Sequence, residues 1–162
     1  MFRKMRRFKQ LLSNEQAIEI LEKNTCGTIA LLGDDDYPYS VPISYVYSNG
    51  KIYFHSAKSG HKIDAIKKHN KASFCVIDKD QIVPEKYTTY FRSVIVFGKM
   101  NLIEEENEKW RITTMLAMKY SAEYEKGIET EINSSIRAMS IIEMDIEHMT
   151  AKEAIELINM KK

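Results

Sequence analysis

The chain has 162 residues, 44% hydrophobic and 29% charged, with a formal net charge of +1. That is the length of one domain with a real core, and the balanced charge excludes a global field that would recruit nucleic acid or a membrane surface. No apolar run approaches the roughly 18 residues of a membrane span, and no export signal is read, so the expected location is the cytoplasm.

Residues 1–9 carry five basic side chains, Arg3, Lys4, Arg6, Arg7 and Lys9. They read as a tail that packs back on the domain rather than as an RNA-binding arm. Ser13-Asn14-Glu15-Gln16 is a capping box, opening a helix to about Asn24 with Ala17, Ile18 and Leu21 inward. Gly27–Leu32 is an apolar strand. Asp34, Asp35 and Asp36 lack the spacing of an EF-hand loop and suit a turn, so no metal site is expected. Tyr39–Tyr47 alternates, with Tyr39, Val41, Ile43, Tyr45 and Tyr47 on one side. Pro42 cannot donate to a ladder, which puts this strand at an edge or a bulge. Ser48-Asn49-Gly50 is a hairpin turn, so the next strand, Lys51–Ser56, is expected to run antiparallel to Tyr39–Tyr47.

The stretch Lys51–Asn70 is the densest in chemistry. It reads as a strand, a loop, and a helix from His61 with Ile63 and Ile66 on one face. A helix that opens just after a strand, with Ser59, Gly60 and Lys62 in its first turn, suits an anion. Ser56 adds a hydroxyl. The stretch is neither a P-loop nor a G-x-G-x-x-G fingerprint.

Ala72–Asp78 is a further strand, and Lys79–Tyr90 reads as a long polar loop. Phe91–Ile103 is a long strand in which Gly98 marks a bulge. Glu104–Tyr120 is a helix with Trp110, Thr114, Leu116, Ala117 and Tyr120 at core or interface positions. Ser121–Arg137 reads as a short helix and loop. Ala138–Glu147 is the last strand, and Thr150-Ala151-Lys152-Glu153 is a second capping box, opening a helix through Met160. The count is six strands joined by hairpins or short helices. This predicts a mainly β fold: one domain, 1–162, built as a small antiparallel barrel with flanking helices.

Two cysteines, Cys26 and Cys75, lie in apolar strand contexts and read as buried free thiols. The four histidines do not fall at zinc spacing with them. His69 sits near a helix end and His148 in an expected surface turn. His55 and His61 are the candidates for chemistry.

The run Asp36 to Tyr47, then Asn49-Gly50, then Ile52-Tyr53-Phe54-His55-Ser56-Ala57, Gly60-His61-Lys62 and Arg92 to Lys99, resembles the flavin-binding split-barrel family related to pyridoxamine 5′-phosphate oxidase. The likeness is strongest to its nitroimidazole-resistance branch. The resemblance implies a six-stranded split barrel, FMN as cofactor, and a homodimer with the flavin at the subunit interface. It implies Val41, Pro42, Ile43, Ser44, His55, Ser56, Ala57, His61, Lys62 and Ser93 as cofactor-binding residues, with His55 or His61 beside the flavin in catalysis. His61-Lys62 stands where the oxidase proper has Arg-Lys, and the oxidase's C-terminal substrate residues have no counterpart in Ala138–Lys162. Pyridoxamine phosphate is therefore not the expected substrate.

The expected function is FMN-dependent oxidoreduction between a small electron donor and a nitro-aromatic or other small acceptor. The alternative is a non-catalytic store or sensor binding flavin, deazaflavin or heme. A nucleic-acid-binding barrel finds no basic face along the strands.

Overall fold

The computed structural model describes residues 1–160. Seven strands form one antiparallel sheet: β1 (Cys26–Leu32), β2 (Pro38–Ser44), β3 (Val46–Ser48), β4 (Lys51–Ala57), β5 (Lys71–Val83), β6 (Thr88–Ile103) and β7 (Met139–Glu153). Their order is β2-β1-β5-β6-β7-β4-β3. The helices are α1 (Asn14–Lys23), α2 (His61–Lys68), α3 (Glu106–Ser121), α4 (Glu125–Ser135) and α5 (Ile155–Met160). No helix among the described residues is long and apolar enough to cross a membrane.

The expected six strands are seven because Tyr39–Tyr47 breaks at Tyr45. Before the break the chain pairs with β1; after it the chain pairs with β4. The hydroxyl of Tyr120, on α3, accepts from the Tyr45 N–H (2.8 Å) and lies within donating reach of the Tyr45 carbonyl (2.7 Å). One side chain thus replaces the ladder bonds that neither strand supplies. The two ends of the sheet are β2 and β3, which only Tyr45 separates, so the sheet curls until its edges share one chain segment. No ladder joins them. For the same reason Lys51–Ser56 does not run along the whole of Tyr39–Tyr47: β4 meets only Val46–Ser48 there, and its long partner is β7.

Inside the curl, Tyr45 and Phe54 each meet Phe74 edge-on, at 4.9 and 5.2 Å between ring centroids. Leu21, Ile29 and Ile52 are fully buried around them. The α1 capping box forms in both directions, Gln16 N–H to Ser13 Oγ and Ser13 N–H to Gln16 Oε1. It aims Ala17, Ile20 and Leu21 into the core. Ile18, expected inward, is half-buried.

Four other expectations are corrected. Lys79–Tyr90 is no loop but the distal part of the β5–β6 hairpin, turning at Pro84–Lys86. Its residues are polar because most of this arm faces water. Thr150–Glu153 does not cap a helix; it continues β7, pairing with Arg92–Ile95, and α5 begins only at Ile155. The Glu153 carboxylate accepts from Arg92 Nε at 3.0 Å. His148 also lies in this strand, opposite Phe97, not in a turn. The bulge expected at Gly98 is present: the register shifts between Phe97 and Gly98, and a Cβ on Gly98 would collide with the Asp145 carbonyl oxygen. The cysteines are free, yet Cys26 is exposed and Cys75 half-buried, since both lie on the outer face of the sheet.

Candidate functional site

Strand β4 enters the core with Ile52, Tyr53 and Phe54 and then emerges, leaving His55 and Ser56 at the rim. The loop after Ala57 turns back through Gly60, whose φ of 122° places it in a region that a Cβ would strain. From there α2 begins, anchored by Ile63 and Ile66 in the core. This return brings Lys62 against β4: its Nζ donates to Ser56 Oγ at 3.4 Å.

Lys62 is half-buried and no carboxylate lies within ion-pair distance of it among the described residues. Desolvation lowers its pKa below the usual lysine value. His55 is pushed down as well, first by desolvation and then by the charge of Lys62. Two groups that carry positive charge when protonated are therefore neighbours, Lys62 in the first turn of α2 and His55 on β4; that turn also carries Asp64, which makes no ion pair with Lys62.

His55 and Ser44 also open onto a cavity of about 560 Å³ that the helices α3 and α4 roof. Its walls are largely apolar: Leu116 and Ala117 from α3, Ile128 and Ile132 from α4, and Met139 from β7. Thr113, Tyr124, Glu131 and Ser135 add a few polar groups. An apolar slot with few polar groups suits a flat aromatic ligand; Lys62 and Ser56 lie beside it and are not part of its lining.

The remaining expected residues are spread out. Val41 and Ile43 are half-buried in β2, with Ile43 against the core. Pro42 is exposed on the opposite face, opposite Thr28, and β2 is an edge strand as expected. Ala57 is exposed at the end of β4, opposite Met139. His61 turns toward the β1–β2 connection; its ring stacks on Tyr39 at 4.0 Å and its Nε2 lies 3.6 Å from Asp34 Oδ2. Ser93 is on the other side of the molecule, in a groove under the N-terminal arm with Ile95, Phe97 and Lys152. Within that groove Phe2 stacks on His148 at 4.6 Å, so the basic tail does lie on the sheet. No group of His, Cys, Asp or Glu able to hold a metal ion occurs among the described residues.

The lining from α4 is what the sequence reading missed. Ile128 and Ile132, with Tyr124 in the turn just before α4, recur every four residues, the spacing of one helix face, and α4 does bury Ile132.

The family model for pyridoxamine 5′-phosphate oxidase matches residues 13–153. The chain belongs to that family. Solved structures of similar fold include a protein from Bacteroides thetaiotaomicron whose name proposes a role in 5-nitroimidazole antibiotic resistance. It is 19% identical over 88% of this chain and 86% of its own, with a TM-score of 0.74. An FAD-binding protein from Mesorhizobium loti is 22% identical over 90% of this chain and 97% of its own, at a TM-score of 0.67. An FAD- and heme-binding protein from Mycobacterium smegmatis is 18% identical over 95% and 80%, at 0.72. At these identities the likeness is one of fold. None of the curated proteins compared matches the sequence.

Proposed function

We propose that this family member is a split-barrel flavoprotein that binds FMN and transfers electrons to a small aromatic acceptor such as a nitro-aromatic compound. The observation that carries this reading is Lys62, half-buried with no carboxylate in ion-pair distance among the described residues and near enough to act on His55, which lines an apolar cavity. The flavin phosphate would sit at Lys62, Ser56 and the first N–H groups of α2, where it restores charge balance. The ring system would take the apolar walls. Flavin supplies the two-electron chemistry when bound; the chain supplies position and exclusion of water. His55, neutral near pH 7 because its pKa is lowered, can accept or return a proton at an imidazole nitrogen facing the cavity.

A homodimer is part of this proposal, but the outer face of β6 and β7 is not a bare patch for it: the arm from Met1 to Arg6 lies over Ile95 and Phe97. A homodimer with the flavin between subunits would bring Ser93 of one chain toward the site of the other, which its remoteness from His55 within one chain calls for.

The test is an absorbance spectrum of the purified protein before and after adding FMN, with gel filtration, followed by reduction with a nicotinamide donor and reoxidation by a nitro-aromatic acceptor. Retained flavin that turns over supports the reading. Retained flavin that no donor reduces would leave a store or sensor. A protein that takes up no flavin would end the proposal.

A further inference from the structure

A second cavity, of about 600 Å³, lies where α3 begins and α4 ends. Its character is opposite to that of the first. Lys58, Lys109 and Arg137 line it, with Glu106 as the one carboxylate. Lys109 is four-fifths buried and touches Glu104 at 3.6 Å across the surface. Lys58 and Arg137 have no carboxylate within ion-pair distance among the described residues. Trp110 forms part of the wall, with the amides of Asn107 and Asn133 beside it.

Each component has a chemical consequence. Two cations on one cavity wall without a carboxylate partner, Lys58 and Arg137, favour a phosphate or pyrophosphate. A half-buried indole offers a face for a purine ring. Side-chain amides can read base edges or ribose hydroxyls. The position of the cavity adds a second constraint. Lys58 follows His55 by three residues on the same rim, a reach of roughly 10 Å. Both cavities lie along the α3–α4 hairpin, which from Glu106 to Tyr120 extends about 21 Å. That is a span on which one extended dinucleotide can occupy both ends.

We propose that this polar cavity binds the adenosine phosphate half of a dinucleotide cofactor. The link to the first cavity rests on the flavin reading above; the adenosine site itself does not. Two cofactors carry the same chemistry, FAD and a nicotinamide dinucleotide.

The experiment is a calorimetric titration of ADP into the full chain, repeated with Lys58→Ala/Arg137→Ala. Both residues are exposed, so the double variant should keep its fold, which circular dichroism checks. Trp110 is the chain's one tryptophan, so quenching of intrinsic fluorescence reports on this cavity. The expected result is ADP binding that quenches Trp110 and weakens about tenfold per cation removed. ADP binding that the double variant leaves unchanged, or no ADP binding at all, would overturn the inference. FMN uptake, measured on the same samples, is judged separately: ADP binding without flavin uptake sinks the flavin reading and leaves the adenosine site standing, while FMN uptake without ADP binding does the reverse. FAD held more tightly than FMN, with the excess lost in the variant, assigns the site to FAD. Equal flavin affinities, with NADH binding weakened in the variant, assign it to the electron donor.

Discussion

Arg92 and Lys62 are both partly buried cations, and the protein treats them in opposite ways. Arg92 bridges two carboxylates, Asp78 at 3.3 Å and Glu153 at 3.0 Å, whose side chains are 4% and 1% exposed. Burial alone would push the Asp78 carboxyl up, but Asn24, Lys23 and Arg92 outweigh it and hold its pKa below the ordinary value. That corner, where α1 meets β5, β6 and β7, is electrically complete. Around Lys62 nothing plays the part of Asp78. A folded chain can tie off a buried charge with its own residues, and here it does so on one side only. The completed side serves the fold; the side left open suits a ligand.

The largest expected effect lies on the completed side. Arg92→Leu takes the guanidinium away from two buried carboxylates and should cost about 3–5 kcal/mol of stability, read from chemical denaturation. A loss within the error of the measurement would mean that the corner is wet and the contrast false. Tyr120→Phe comes next. It removes the hydroxyl that satisfies Tyr45 where the sheet divides and should cost about 1–3 kcal/mol, again by denaturation. If stability is unchanged, something other than Tyr120 holds β2 and β3 together.

On the open side, Lys62→Ala should move stability by no more than about 0.5 kcal/mol, because it relieves a desolvated charge. FMN affinity should nevertheless drop roughly tenfold or more. A variant that binds FMN as the parent does would remove Lys62 from the site.

The smallest effect is one of pH. The folded-state pKa of His55 is lowered from 6.5. The stability it contributes is therefore present above about 6.5 and lost as pH falls toward the folded value. A phosphate nearby favours the imidazolium, so FMN binding takes up a proton and tightens over the same interval. His55→Gln should flatten that dependence in a series of titrations from neutral to mildly acidic pH.

What could be read from the residues depended on how local the deciding contact was. The Ser13–Gln16 capping box is closed within one turn and was legible. Thr150–Glu153 has the same local signature, but Arg92–Ile95, more than fifty residues away, claims those residues for a strand. The β5–β6 arm was mistaken for a loop because water on its faces erases the alternation that marks a half-buried strand. The site divides likewise. His55, Ser56 and Lys62 are close in sequence, and their spacing across a strand, a glycine and a helix start was enough to group them. The roof from α3 and α4 depends on how the hairpin lies over the sheet. Its only local trace was the Ile128–Ile132 step, obscured by Gly127 and the acidic residues around it.

The central claim is that the open charge at Lys62, with His55 beside it, awaits a phosphate. Comparing the dissociation constants of FMN and riboflavin on the same protein tests it most directly, since the two differ in the phosphate alone. The account predicts FMN bound about a hundredfold more tightly than riboflavin, with most of that margin lost in Lys62→Ala. Equal affinities for the two would contradict it.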